Sequence, residues 1–309
     1  MPHPRTAQRA VPTRYPAATW LNLVCLDAPI VAVTWLCLFA KVFRVPISPG
    51  NATALFLTAW LIYLADRVVD ASSLKSGTPR SLRQEFCLRH REIWISALLI
   101  IGGFDVFVIW QDTAAITFLA GAVVGVLALL YLVLNQPLGL IWRSLPAKEN
   151  AIGVLFAAGT LVALLPAFPP FTFSFLAGAA AFAGLCALNC VAIACWEREL
   201  DEAQRKVSIA TRHPGLARHV GTVCYSLAMA AFFLAVAFRQ ADPVFLCVAV
   251  SALLLTWLNA SPSVKEGRFA NRPRRFVNRR SLGSSIDQRT ALADLVLLTP
   301  LVLLVITRL

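Results

Sequence analysis

The chain has 309 residues, 58% of them hydrophobic and only 14% charged, with a formal net charge of +12 and a mean hydropathy of +0.70. A soluble domain carries about 25% charged residues, so this composition excludes a water-soluble globule and makes a lipid bilayer the natural solvent. The basic residues lie in connectors between apolar runs and form no separate basic domain, which argues against nucleic acid and leaves membrane lipid as the general partner.

Residues 1–16 are polar and basic (Arg5, Arg9, Arg14) and are expected to form a cytoplasmic tail. The apolar stretch that follows is too long for the core of a cleavable signal peptide. A hydrocarbon core of about 30 Å needs about 20 apolar residues in a helix. Segments that meet this need run over 17–42, 51–70, 93–110, 114–135, 149–166, 171–196, 218–238, 242–260 and 288–307. Turn signals separate them at Pro46 to Gly50, Pro137, Pro169-Pro170 and Asp242-Pro243. The expectation is an all-α polytopic membrane protein, with 17–309 as a single domain of nine spanning helices.

Nine spans put the two termini on opposite sides. With the N-terminus on one side, 24 of the 28 Lys and Arg residues fall on that side, leaving only Lys41, Arg44, Arg239 and Arg308 opposite. The positive-inside bias then makes the N-terminal side cytoplasmic, the C-terminus external, and a bacterial inner membrane the expected location. The connectors after spans 2, 6 and 8 are long, so the working face is expected on the cytoplasmic side. Seven of the eight cysteines lie in apolar segments without a CxxC pair, as small packing residues do.

Two acidic clusters stand out: Asp66-Arg67-Val68-Val69-Asp70 at the end of span 2, and Glu197-Arg198-Glu199-Leu200-Asp201-Glu202 at the end of span 6. A spacing of four puts Asp66 and Asp70 on one helix face, ~6 Å apart along the axis. Glu197 and Asp201 repeat the spacing. Like charges so placed repel, and acids oppose the dipole at a helix C-terminus. A divalent cation removes both objections, since Mg²⁺ takes carboxylate, phosphate and water oxygens. Ordinary solvated helix ends are the competing reading. Further polar groups lie inside the spans: Asp27, Asp105, Asn189 and Asp294, each a functional candidate or an interhelical hydrogen bond. Tyr63 stands one turn before Asp66, where its ring can face a cation.

Acidic motifs after spans 2 and 6 of nine resemble the UbiA superfamily of intramembrane prenyltransferases, over nearly the whole chain. The second motif of that family commonly reads D-x-E-x-D-x-x-x-G-K-x-T. Here it reads Glu197-x-Glu199-x-Asp201-x-x-x-Arg205-Lys206-x-Ser208, with Glu for the first Asp and Arg for the Gly. The first motif, N-D-x-x-D-x-x-x-D, is incomplete: Asp66 and Asp70 match its last two acids, while Ile62 and Tyr63 take the places of its Asn and first Asp. The family often carries a lysine near the start of span 5, where Lys148 stands.

The resemblance implies Mg²⁺-dependent transfer of an isoprenyl group from a prenyl diphosphate to a small aromatic or quinone-precursor acceptor. It implies Asp66, Asp70, Glu197 and Asp201 as catalytic, and the same four with Glu199 as metal ligands. Arg67, Lys148, Arg198, Arg205 and Lys206 are the implied diphosphate contacts, each open equally to a role in topology alone, and Tyr63 and Asn189 join them as substrate contacts from their places in the spans. Two alternatives stay open: a terpene cyclase of the same fold, and a non-catalytic lipid-binding or transport protein.

Overall fold

The computed structural model describes residues 17–75, 77–135, 148–167, 172–261 and 279–306. The tail 1–16, the turns at Pro137 and Pro169-Pro170 and the basic connector 262–278 lie outside them. Among the described residues the chain is helical throughout, without strands. The principal helices are α1 (Ala17–Leu23), α2 (Asp27–Val42), α3 (Pro49–Ser72), α4 (Leu82–Arg89), α5 (Arg91–Asp112), α6 (Ala115–Asn135) and α7 (Lys148–Leu161). There follow α8 (Phe173–Trp196), α9 (Arg198–Ala203), α10 (Ile209–Arg212), α11 (Val220–Ala237), α12 (Asp242–Ala260), α13 (Arg279–Leu295) and α14 (Thr299–Ile306).

Among the described residues, seven helices are long and apolar enough to cross a membrane, and eight if α1 and α2 form one bent span. Helix α6 is a shorter apolar helix over Ala115–Tyr131. The outer faces of α5 and α6 carry large apolar side chains, Leu99, Phe107 and Leu119 among them, and Trp110 is 85% exposed. Water does not tolerate such a belt, whereas lipid requires it.

The first predicted span, 17–42, is not one straight helix. It breaks between α1 and α2 with a bend of 95°. Cys25 sits there at φ 58°, and Leu26 N–H donates back to the Leu21 carbonyl at 2.9 Å. That is a Schellman-type end. The Val24 carbonyl released by the break accepts from the Trp60 indole at 2.9 Å, as a backbone acceptor at membrane depth requires. Asp27 therefore stands in the first turn of α2, where a carboxylate complements the helix dipole, and it accepts from the Ala28 N–H at 2.9 Å.

Helix α2 is the axis of the core. Trp35, Leu36 and Phe39 are fully buried. The Trp35 ring stacks on Phe182 of α8 with centroids 4.3 Å apart. Its indole donates to the Leu297 carbonyl at 2.8 Å. Helices α7 and α8 approach so closely that a Cβ on Gly153 would lie 2.5 Å from the Ala187 nitrogen. Small residues permit this packing. It brings the start of α7 beside the end of α8, which is where the charged residues gather.

Candidate functional site

The connectors read as long loops carry short helices. Helix α4 begins with a capping box, Ser81 with Gln84, and α10 begins with another, Ser208 with Thr211. These fix two polar arms over the end of the bundle where α3 and α8 finish and α7 begins.

From α3, Asp70 pairs with Lys206 and accepts from the Gln84 amide at 2.8 Å. Gln204 donates to Gln84 at 2.9 Å and to the Pro79 carbonyl at 2.8 Å. The second acidic segment is thus tied to the first through Lys206, Gln204 and Gln84. A second tie joins Arg83 of α4 to Glu197, which also accepts from Thr290 of α13 at 3.4 Å. Asp66 makes no ion pair or side-chain hydrogen bond among the described residues, yet Arg67, Asp70, Lys148 and Lys206 lie within electrostatic range of it. Asp201 is held among Glu197, Ser208, Lys206 and Lys148. Burial, with the like charge of Glu197, pushes its carboxyl up to about 6, against the pull of Ser208, Lys206 and Lys148. Asp66 and Asp201 therefore share the same two lysines. Arg67 lies between the clusters, with Cys25, Asp66, Asp27 and Glu197 in range and a buried Nε that no group accepts from.

Three residues expected at the site lie toward the surface. Glu199 is exposed on α9. Arg198 pairs with Glu202 one turn on at 2.7 Å, a surface ion pair. Arg205 is exposed, and its role is in the backbone. It takes φ 56°, and Lys206 N–H donates to the Asp201 carbonyl at 2.8 Å, closing a Schellman turn that swings Lys206 back to Asp70.

Below the charged cluster opens a cleft lined by Tyr63, Gly153, Phe156, Cys186, Asn189, Cys190 and Asp294, among others. Cys190 lies in range of Asp294, Glu149, Lys148 and Asp66, so the cleft and the cluster adjoin. Asn189 donates to Asp294 at 2.9 Å. Asn22 donates to Asp294 at 3.1 Å and to Asp27 at 2.6 Å. Asp105 belongs to neither site. It accepts from Thr58 at 2.7 Å and ties α5 to α3, the structural alternative for that residue.

Arg83, Gln84 and Gln204 were not found by sequence reasoning, nor was the buried Glu149, which accepts from the Ile209 N–H at 3.0 Å and so holds α10 against α7. The capping pattern at Ser81 and Gln84 was the available signal for the first two.

Among the described residues no three His, Cys, Asp or Glu side chains form a ready-made metal cage. Mg²⁺ bound along with substrate phosphates needs only one or two protein carboxylates. Asp66 and Asp201 meet that requirement, being the two acids of the cluster outside any ion pair. Asp70 and Glu197 are already neutralised by Lys206 and Arg83. Comparison of the chain with protein-family models, curated proteins and solved structures finds no match.

Proposed function

We propose that the chain is an integral membrane enzyme that transfers an isoprenyl group from a prenyl diphosphate to a small acceptor at the cytoplasmic end of its bundle. One observation carries the reading: acids from α3 and from the α8–α9 junction gather around the same lysines, Lys148 and Lys206, beside an intramembrane cleft. Counting α1 with α2 as one bent span, and α6 as another, gives the nine spans of a UbiA-type bundle.

In this reading Lys148, Lys206 and Arg67 take the phosphate oxygens of the donor. Mg²⁺ held by Asp66 and Asp201 with phosphate oxygens would offset the charge on the leaving diphosphate. Asp70 holds Lys206, and Glu197 holds Arg83, in positions facing the donor. The allylic C–O bond breaks and its electron pair departs with the diphosphate. Tyr63 and Phe156, edge to face with centroids 6.5 Å apart, border the cleft where the allyl cation forms. A nucleophilic carbon of the acceptor then bonds to the cation and sheds a proton.

Ile62 and Tyr63, standing where the family has Asn and Asp, favour a second reading in which the chain binds the diphosphate lipid without cleaving it. One experiment separates the two. Purified protein in nanodiscs is incubated with Mg²⁺, prenyl diphosphates of several lengths and candidate acceptors, and diphosphate release and products are scored. Release that Asp66→Asn and Asp201→Asn each abolish supports the enzyme. Product without acceptor identifies a cyclase, and binding without release the second reading.

A further inference from the structure

We infer that the corner where α10 turns into α11 is a docking site for the headgroup of an anionic phospholipid, its phosphate held by Arg212 and Arg218. Between Glu202 and Asp242 the sequence contains no acid. Arg212 ends α10, and Arg218 ends the short 3-10 helix Pro214–Arg218 that follows. Neither arginine makes an ion pair among the described residues. Acids on the elements packed nearby are engaged: Glu197 at the end of α8 with Arg83, and Glu149 of α7 with the Ile209 N–H. Leu216 pins the corner to the apolar cluster around Val220 and Leu255, while Gly215 and Arg218 are exposed.

The bare face of α11 sets the depth of this corner. Val220, Cys224, Ala228, Ala231 and Ala235 are buried, so the opposite face meets lipid. Its first two turns expose Thr222, Tyr225 and Ser226. Further along, the exposed large side chains are Phe232, Phe233 and Val236. A face that passes from hydroxyls to phenyl rings crosses from the headgroup layer into hydrocarbon. Helix α12 carries the same mark, because Trp257 is 65% exposed. It stands two residues before Asn259, whose Cβ is 3.8 Å from the place of a Cβ on Gly221 in the first turn of α11. Tyr225 and Trp257 thus form an aromatic belt at one end of one helix pair. Arg218 comes one turn before Thr222, on the headgroup side of that belt. A guanidinium there takes phosphate oxygens through paired N–H donors, and its stem covers apolar surface below. A zwitterionic headgroup brings its own cation toward two arginines, so the corner favours an anionic lipid.

The inference does not rest on the proposed transfer, and it is tested without any diphosphate. Full-length protein in detergent is titrated with phosphatidylglycerol or phosphatidylcholine, and bound lipid is counted by native mass spectrometry. The tightest phosphatidylglycerol site should weaken about fivefold in Arg218→Gln and about twentyfold when Arg212→Gln is added. Arg89→Gln with Arg91→Gln, an equal loss of charge at the exposed junction of α4 and α5, should leave that site unchanged. On the unaltered protein, phosphatidylglycerol with a photoactivatable headgroup should crosslink within residues 212–226, a result that requires no variant to fold. Equal affinity for the two lipids, equal losses in the two double variants, or crosslinks confined to other connectors overturns the site. Full displacement of the lipid by an equal concentration of inorganic phosphate overturns it as well, since the corner would then bind the free anion.

Discussion

Arg205 holds a backbone conformation that its place in the acidic segment does not announce. Its place in the acidic segment suggested a phosphate contact, but the chain reverses there with φ at 56°, and the guanidinium points into solvent. A left-handed conformation costs a non-glycine residue ~1–2 kcal/mol, part of which glycine repays by its greater freedom when unfolded. Arg205→Gly should therefore raise stability by about 1 kcal/mol and leave donor binding unchanged, because Lys206 still turns back to Asp70. A thermal melt in detergent with a diphosphate-binding assay checks both halves. Weakened binding with an unchanged melting temperature would restore Arg205 to the site. The acids were legible because like charges four apart on a helix demand compensation, and Lys148 and Lys206 were legible from motif register. Arg83 and Gln204 were not. Both act across connectors more than a hundred residues apart, as in the pairing of Arg83 with Glu197, and nothing local in their sequence marks that.

At the level of elements, apolar length located the membrane helices and missed their ends and breaks. The run 17–42 is continuous in hydropathy, yet it folds as two helices at 95°, and a tertiary partner, the Trp60 indole, takes a carbonyl that the break exposes. Likewise α4, α9 and α10 are too short and too polar to register as spans, although the capping residues of α4 and α10 were present in the sequence. The contact between α7 and α8 depends on Gly153, and hydropathy carries no sign of it. A methyl at 153 would lie 2.5 Å from the Ala187 nitrogen and 2.7 Å from its Cα, so backbone must move. Overpacking of this kind costs ~1–3 kcal/mol. Gly153→Ala should destabilise the fold by that amount and, by pushing α7 off α8, carry Lys148 away from Asp66 and Asp201. Diphosphate affinity should then fall together with the melting temperature. A destabilised variant with undiminished affinity would mean that Lys148 takes no part in holding the anion.

For the whole molecule, the charge partition and the count of spans stand or fall together. The proposed cytoplasmic site requires the connector after α3 and the turn between α11 and α12 to lie on opposite sides. Five helices separate them when α6 is included, and four when it is not. Helix α6 is the shorter apolar helix, most apolar over Ala115–Tyr131, but at 1.5 Å per residue its 21 residues extend for about 30 Å, the thickness of the hydrocarbon core. Its exposed Phe118, Leu119 and Val126 suit lipid. Lys75 and Arg239 are both exposed, one in each connector, and none of the eight free cysteines is exposed, so the background for thiol labelling is low. Lys75→Cys and Arg239→Cys, each treated in sealed right-side-out vesicles with a membrane-impermeant maleimide, should differ: the cysteine at 239 reacts at once, and that at 75 only after permeabilisation. Reaction of both from the same side would remove α6 from the spanning set and reverse the assignment of every connector beyond it. The acids of α3 and those of α8–α9 would then belong to opposite faces of the membrane. Their shared lysines gather them at one end of the bundle, and the proposed topology accounts for that only with α6 as a span.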